Sequence, residues 1–325
     1  QKEIRYVAIE IGIGGFQPHP AADIFRNRYG DCKDKVTLLS SMLNEIGIGS
    51  YYVLINTHRG IVRPEFASPL RFNHAIIAIR VPDDPRNAEL RGYVRHPKLG
   101  PLVFFDPTHP YVPYGELPVE LQDNRGALVG DAGGELITLP LAPPTENSRQ
   151  RTYQMQLQPD GAINGVAKEI SRGRFASDFR GGWQNLAAAD RLKTLKAQFS
   201  RRVLLVEASE MRTANLDGPG STELTYQVRI PSFAKAAGNL LLLRLALNDF
   251  ADDIMEHGER TQPIVFPSTT HETEIVEIAL PDKYAVDELP PPVRIDTAVA
   301  SYESLTEVAG SLLRNTRQLE IKGLT

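Results

Sequence analysis

The stretch GDCKDKVTLLSSMLNEIG, residues 30–47, decides the fold of the first half of the chain. Its apolar residues recur at spacings of three and four, the pattern of an amphipathic helix: Val36, Leu39, Leu43 and Ile46. Gly47 supplies the stop signal that ends such a helix. The only cysteine of the chain, Cys32, then falls in the first helical turn. Free N–H groups and the positive end of the helix favour a thiolate there.

The residues beside Cys32 carry opposite charges. Lys33 and Lys35 would favour a thiolate, whereas Asp31 and Asp34 would oppose it. The sequence leaves the sign of their sum open. Cys32 also has a plain structural interpretation, because a free cysteine commonly packs as a small buried apolar residue.

Strands are predicted after this helix. SYYVLINT (50–57) and FNHAIIAIR (72–80) are rich in β-branched and aromatic residues, and PLVFFDPT (101–108) is a short apolar run that ends at an Asp-Pro turn signal. Residues 82–100 contain three prolines and are predicted to form a polar surface loop. Residues 1–140 are therefore predicted to be one mixed α/β unit.

Two residues of these strands could act with Cys32. His74 lies in the second strand and Asp106 closes the third. Each alone has a simpler structural interpretation, since a strand histidine usually belongs to the core and an aspartate before proline usually ends a strand. Neighbouring antiparallel strands, however, would bring both side by side facing the start of the helix. His74 would then accept the thiol proton, and Asp106 would hold the imidazole's tautomer and stabilise its charge.

These segments resemble a known family. NRYGDCKDKVTLLSSMLNEIGIGSYYVLI (27–55) looks like the core motif of bacterial transglutaminase-like proteins, NHAIIAIR like their histidine strand, and VFFDPTHPYVPYGELP like their aspartate strand and exit loop. GIGGFQPHPA resembles the subgroup in which an uncharacterised β-rich domain precedes the core and another β domain follows.

The resemblance covers roughly residues 1–130. It implies an α+β fold, a papain-like transglutaminase core followed by a mainly antiparallel β domain. It also implies that Cys32 is the nucleophile, His74 the base and Asp106 the third member of the triad.

Such an enzyme needs hydrogen-bond donors for the oxyanion of its tetrahedral intermediate. The backbone N–H of Cys32 is the natural first donor. The amide of Gln17, or a backbone N–H near Tyr29, is predicted to be the second. For Gln17, an ordinary loop residue is the slightly favoured interpretation.

Other candidate sites favour structural roles. GIGGFQ (12–17) lacks the third glycine of a dinucleotide fingerprint, and prolines follow it, so no phosphate-binding helix is predicted there. His19 and His109 each precede a proline and are expected to be structural or to line the rim of the site. Closely spaced ligand pairs are missing, so no metal site is predicted, and no cofactor is predicted either.

The second half of the chain has a different texture. LAPPTENSRQ (141–150) is predicted to be a linker because it is rich in proline and polar residues. Residues 151–325 are predicted to be a β-rich C-terminal domain, an antiparallel sandwich or sheet with one helix near 184–199. Trp183 is expected to pack inside this domain. Acidic residues beyond a leucine-rich run are expected to form a solvated face: Asp252, Asp253, Glu256 and Glu259.

Bulk properties narrow the classes of partner. A chain of 325 residues suits two or three domains. A net charge of −4 and a pI near 6 give no electrostatic reason to expect nucleic acid or an anionic membrane. No apolar run approaches the ~20 residues that span a bilayer. The expected partner is a protein or peptide substrate.

The leading functional hypothesis is cysteine-dependent acyl chemistry on amide bonds through an acyl-enzyme at Cys32. Water as the acceptor gives protease-like or amidase-like hydrolysis, which the resemblance narrowly favours, whereas an amine gives transglutaminase-type transfer. The alternative is a catalytically silent scaffold or a module that binds a protein or glycan. A complete triad argues against that alternative, since a site without catalytic activity has no physical reason to keep all three groups.

The opening residues QKEIRYVAIEIG (1–12) are predicted to be the tail of a helix, with Ile4, Val7 and Ile11 at helical spacing. A helix seldom begins a natural chain so abruptly, so upstream residues, with any targeting sequence, are expected to be missing. The single cysteine allows no internal disulfide and leaves the redox compartment open. A periplasmic or secreted location is implied by the family resemblance alone.

Overall fold

The computed structural model describes residues 1–8, 12–66, 68–130, 133–199, 203, 205–250, 263–282 and 284–325. The chain divides into two compact units, Gln1–Ala142 and Pro143–Thr325. Both units combine helices with sheets that are mostly antiparallel, so the fold is mixed α+β and rich in strand.

The first unit contains the helices α1 (Ala21–Asn27), α2 (Cys32–Glu45) and α3 (Pro85–Ala88). Its strands are β1 (Arg5–Tyr6), β2 (Tyr29–Gly30), β3 (Ser50–Ile55), β4 (His74–Arg80), β5 (Tyr93–His96), β6 (Gly100–Phe105), β7 (Arg125–Gly130) and β8 (Gly133–Thr138). Strands β1 and β2 form a short parallel pair. The others form an antiparallel sheet in the order β5-β6-β4-β3-β7-β8, which places β4 between β6 and β3.

Both faces of strand β4 are buried, and each face belongs to a different core. On one face Val36 of α2 packs against Ala75 and Ile77. On the other face Ile76 and Ala78 pack with the apolar residues of β6 and with the segment that follows it. Because β4 is covered on both sides, it reads as a nearly continuous apolar run, and α2 is fixed against the middle of the sheet.

Two predictions for this unit are wrong. Residues 82–100 are not simply a loop, because α3 begins after the Asp84 cap and β5 pairs with β6 at the sheet edge. The predicted N-terminal helix is replaced by β1, in which the N–H of Arg5 donates to the carbonyl of Arg28 at 2.9 Å. Apolar spacing of three and four over so few residues does not outweigh a backbone partner supplied by a distant segment. Ile11 lies outside the described residues.

The second unit contains the helices α4 (Arg174–Trp183) and α5 (Ala188–Ala197). Its strands are β9 (Ser148–Leu157), β10 (Ile163–Ser171), β11 (Glu207–Ala214), β12 (Thr222–Ile230), β13 (Lys235–Ala237), β14 (Leu240–Leu242), β15 (Thr270–Ala279), β16 (Val293–Asp296), β17 (Ala300–Ala309) and β18 (Leu312–Ile321). Strands β13 and β14 form a small hairpin. The other strands described form one sheet in the order β11-β12-β10-β9-β15-β18-β17-β16, in which only β9 and β15 run parallel.

This unit differs from its predicted layout in two places. The predicted linker 141–150 is partly structured, because β9 begins at Ser148 and pairs with β10 from Arg149 onward. Helix α5 lies inside the predicted range 184–199, but α4 was not predicted. Its signal is a stripe of Phe175, Phe179 and Trp183 at spacings of four, interrupted in sequence by two glycines. The four acidic residues between 252 and 259 lie outside the described residues.

Trp183 is buried and stacks on Phe179, with ring centroids 4.7 Å apart, in the core between α4 and the sheet. Within the described parts of both units, no helix combines the length and the apolar character needed to cross a membrane.

Candidate active site

Cys32, His74 and Asp106 come together in the first unit because three elements begin or end at one place. Cys32 is the first residue of α2, His74 is the first residue of β4, and Asp106 directly follows the last residue of β6. The start of β4 and the end of β6 lie at the same edge because the two strands are antiparallel neighbours. Nε2 of His74 lies 2.8 Å from Oδ2 of Asp106, and Cys32 is the other group whose interaction with this imidazole raises its pKa.

Asp106 is held as an ionised acceptor. Its Oδ1 atom accepts the backbone N–H of Thr108 at 2.8 Å and the Thr108 hydroxyl at 2.6 Å. Burial acts to raise the pKa of Asp106, but the hydrogen bond and charge of His74, with the two bonds from Thr108, bring that pKa below its ordinary value. Oδ2 is therefore left to accept the Nε2–H of His74.

His74 favours its protonated form. Burial acts to lower the pKa of His74, but hydrogen bonds and charge interactions with Asp106 and Cys32 outweigh it and raise that pKa to about 10. Since Nε2 is engaged by Asp106, Nδ1 is the ring nitrogen left for Cys32. An imidazolium beside a sulfur stabilises a thiolate, the nucleophilic form of cysteine.

The residues around Cys32 explain why the chain starts a helix there. Asp31 caps α2 by accepting the N–H of Asp34 at 3.3 Å, and Asp34 accepts the N–H of Asp31 in return, also at 3.3 Å. Gly30 leaves room for this exchange, because a Cβ atom at that position would lie 2.6 Å from Cβ of Asp34. The capping box therefore places Cys32 at the first helical position, where its side chain is half-buried.

The sequence leaves open the net effect of the charged residues that flank Cys32. In the structure most of these charges have partners of their own. Lys33 forms a close ion pair with Asp31. Asp34 accepts the backbone N–H of His19 at 2.8 Å and lies 3.1 Å from its ring Nδ1. Cys32 is therefore influenced most directly by the imidazole of His74.

Lys35 is buried on the other side of this helical turn. Its Nζ donates to the carbonyls of Gln1 and Ile4, each at 2.9 Å. Burial lowers the pKa of Lys35, although the charge of Asp106 acts in the opposite direction. Sequence reasoning treated Lys35 only as a charge near the thiol, whereas the structure uses it to fasten the N-terminal segment to α2.

The predicted oxyanion donors differ in how close they lie to the site. As the first residue of α2, Cys32 has an N–H that no earlier turn of the helix can accept. Gln17 is exposed just after a turn of 3-10 helix, and Tyr29 is exposed in β2. Among the contacts described for the first unit, neither side chain reaches Cys32, His74 or Asp106.

The rival histidines occupy other positions. His19 is mostly exposed and its ring faces Asp34. His109 follows the Asp106 turn, and its Nδ1 is buried without a hydrogen-bond partner among the residues described. In the same described ranges, no group of three or more His, Cys, Asp and Glu side chains is placed to hold a metal ion.

Sequence reasoning missed Thr108, which fixes Asp106. The signal was present in the Asp-Pro-Thr string, since an aspartate that accepts the N–H two residues later forms an Asx turn. The Asp-Pro step by itself predicts only the end of a strand.

Comparisons with known proteins give a domain match and a structural neighbour. Residues 238–324 match DUF3858, a domain of unknown function with a solved structure. No curated protein matches the chain significantly. Among solved structures, the chain is similar to a protein from Parabacteroides distasonis described as a candidate protease, with 10% identity and a TM-score of 0.47. That alignment covers 99% of this chain, which spans only 44% of the length of the Parabacteroides protein.

Proposed function

We propose that the first unit is a transglutaminase-like cysteine hydrolase that cleaves amide bonds in a protein or peptide. The observation that carries the proposal is the hydrogen-bonded pair His74–Asp106 beside Cys32, at the point where a helix start and two strand ends meet. The resemblance of residues 27–55 to the transglutaminase-like core motif supports the same reading.

In the proposed acylation step, the Cys32 thiolate attacks the amide carbonyl carbon. The carbonyl π electrons move to oxygen, and the N–H of Cys32 donates to the oxyanion. His74 then gives its proton to the leaving nitrogen as the C–N bond breaks. The products are a thioester on Cys32 and a free amine, while Asp106 continues to hold the imidazole.

In the proposed deacylation step, a water molecule attacks the thioester and His74 takes its proton. The C–S bond breaks, the acid product leaves, and the thiolate and imidazolium are restored. A primary amine in place of water would give transfer instead of hydrolysis. We favour hydrolysis as the outcome on the basis of the family resemblance.

Alkylation offers a direct test because Cys32 is the only thiol of the chain. Iodoacetamide should modify one site, at a rate that falls in His74→Ala. Hydrolysis of casein or a small peptide amide should be lost in Cys32→Ala and in the alkylated protein. Adding a fluorescent primary amine to the same reaction distinguishes transfer, which labels the substrate, from hydrolysis.

Ser41→Ala is a suitable control because Ser41 lies on the same helix, after the buried first turns. An alkylation rate that does not respond to His74→Ala would refute the proposed base. Hydrolysis that persists in Cys32→Ala would refute the proposed nucleophile. Alkylation as proposed without turnover of any amide would instead favour a non-catalytic module.

A further inference from the structure

The second unit contains a buried row of alternating charges that crosses its sheet. The strand register places Glu169 of β10 opposite Arg151 of β9, Arg151 opposite Glu274 of β15, and Glu274 opposite Arg317 of β18. Nε of Arg151 donates to Glu169 at 2.7 Å, and Nε of Arg317 donates to Glu274 at 3.1 Å. Arg151, Glu169 and Glu274 are at most 7% exposed.

A second ion pair lies two residues away along the same strands. Arg149 of β9 is opposite Glu272 of β15, and its Nε donates to that carboxylate at 3.0 Å. In the other direction, the same face becomes apolar at Tyr153 and Met155. The buried face of the sheet is therefore charged at one end and apolar at the other.

A row of buried charges is a less favourable core, in free energy, than packed apolar side chains. Removing paired ions from water costs several kcal/mol per ion, and packed apolar residues of similar volume are often as stable or more stable. Packing alone therefore does not explain why charged side chains are buried at this end of the sheet. A cavity that lies above them suggests a binding role.

A cavity of about 1100 Å³ lies over the charged end, between the sheet and the helices α4 and α5. Arg149, Arg151, Glu169 and Glu272 line its floor, and Trp183 contributes to its wall. The charged row therefore forms one boundary of an open space.

Aromatic and arginine groups of α4 also line this cavity. Phe175 lies beneath the guanidinium of Arg149, 4.4 Å from the ring centroid, and the guanidinium of Arg174 lies 5.5 Å from it. Nη1 of Arg174 donates to Ser268, but its Nε is buried and makes no hydrogen bond among the described residues, with Asp178 at 3.6 Å. Among the described residues this N–H has only the longer ion pair with Asp178, so it could donate a shorter hydrogen bond to a ligand.

We propose that this cavity binds a neutral carbohydrate chain. The arginines and carboxylates of the floor neutralise one another, so a charged ligand group would have to break an existing pair. Hydroxyl groups can accept from a guanidinium and donate to a carboxylate without breaking either. Phe175 is covered by Arg149 and Trp183 by Phe179, so polar groups rather than exposed ring faces would contact the sugar.

A peptide fits these features less well. Extended peptides are commonly bound by adding a strand to an exposed sheet edge. The floor of this cavity belongs to β9, β10 and β15, which lie inside the sheet, whereas β11 and β16 are its edges. The cavity therefore offers side chains rather than free backbone groups.

Trp183 provides a specific readout because it is the only tryptophan of the chain and lines the cavity. The full chain would be titrated with cellohexaose, xylohexaose, maltohexaose and chitohexaose while tryptophan fluorescence is recorded, with saturation-transfer NMR on the sugars as a second measurement. At least one hexasaccharide should change the fluorescence saturably. A capped neutral Gly-Ser hexapeptide, used as the competing ligand class, should not.

Two variants test the assigned groups. Arg174→Gln removes the Nε–H assigned to the ligand and should weaken binding about ten-fold, the effect of losing one charged hydrogen bond. The double variant R151M/E169M replaces a buried pair with apolar residues of similar volume, so it should fold and lose binding. Arg229→Gln, an exposed residue of β12 paired with Glu207, is the matched control and should bind normally.

The proposal is overturned if no hexasaccharide changes the fluorescence or the NMR signal at millimolar concentration. Saturable binding of the hexapeptide alone would also overturn it and would assign the cavity to peptides. Sugar binding that survives Arg174→Gln would overturn the placement in this cavity, even if the double variant failed to fold.

Discussion

Nε2 of His74 and Oδ2 of Asp106 lie 2.8 Å apart although 32 residues separate them in sequence. The bond joins the first residue of one strand to the residue just beyond the end of its antiparallel neighbour. The second carboxylate oxygen is occupied by Thr108, so the two oxygens of Asp106 have different roles. The predictions below depend on such pairings.

Asp106→Asn should leave the fold intact and prevent His74 from accepting the proton of Cys32. The N–H of Thr108 requires an acceptor at Oδ1, so the new amide would present its NH2 group to Nε2 of His74. That contact puts the ring proton on Nδ1, where it blocks acceptance of a proton from Cys32. Turnover should fall by about 10²–10⁴-fold, as expected when the histidine of a triad is held in the wrong tautomer.

The measurement is the pH dependence of Cys32 alkylation, together with turnover. Removal of the negative charge should also bring the pKa of His74 down from about 10 towards its ordinary value. Asp84→Asn, a half-buried aspartate paired with Arg86 and remote from Cys32 in sequence, is the control. Identical alkylation profiles for Asp106→Asn and the unmodified chain would contradict this role of Asp106.

The raised pKa of His74 predicts how stability depends on pH. The folded chain binds this proton more tightly than the unfolded chain, so the contribution of His74 is fully present below pH 6.5 and is lost as the pH rises through about 10. The melting temperature of the unmodified chain should therefore exceed that of His74→Gln most below pH 6.5. The difference should shrink steadily towards pH 10, and a difference that stays constant would argue against the pairing.

Gly30→Ala should destabilise the start of α2. Its new Cβ would lie 2.6 Å from Cβ of Asp34, so the capping exchange between Asp31 and Asp34 must shift. Overpacking of this kind costs about 1–3 kcal/mol. Gly49→Ala is the matched control, because a Cβ there has its nearest neighbour, Cδ of Arg80, at 3.8 Å.

Chemical denaturation of the two glycine variants gives the comparison. Gly30→Ala should unfold at a lower denaturant concentration and also change the alkylation rate of Cys32. Gly49→Ala should do neither. Equal stability of the two variants would show that the close approach at Gly30 is relieved without cost.

Glu274→Ala should be among the most damaging changes in the second unit. Glu274 is fully buried, accepts the N–H groups of Leu247 and Asn248, and pairs with Arg317. Its loss leaves a guanidinium without its carboxylate, and breaking a buried pair costs about 3–5 kcal/mol.

The control for that variant lies three residues further along the same strand. Glu277→Ala removes a partly exposed carboxylate 3.7 Å from Arg314, a contact expected to contribute about 0–1 kcal/mol. Thermal unfolding of both variants should therefore show a large loss for Glu274→Ala and little change for Glu277→Ala. Similar melting temperatures would mean that the charged row contributes little to stability.

Local patterns predicted the central elements well where one signal dominated. The apolar spacing from Val36 to Ile46 predicts α2, which spans Cys32–Glu45, and the β-branched run at 50–57 predicts β3, which spans Ser50–Ile55. The run FNHAIIAIR at 72–80 predicts β4, which spans His74–Arg80. These segments agree because local propensity and burial favour the same structure.

Patterns failed where a distant partner decided the conformation. Arg5 and Tyr6 form a strand only because Tyr29 and Gly30 pair with them. Tyr93–His96 became a strand because β6 offered an unpaired edge. A prediction from residues adjacent in sequence contains no information about a strand partner that is distant in sequence.

The amino-acid sequence by itself determined that Cys32 begins a helix, because Gly30, Asp31 and Asp34 encode the cap within five residues. The tertiary structure alone decided that His74 faces that cysteine. Strand alternation would group His74 with Ile76 and Ala78, on the face of β4 opposite α2. The bond of His74 to Asp106 and its interaction with Cys32 form at the very end of the strand, because contacts between elements, not the two-residue period, direct a terminal side chain.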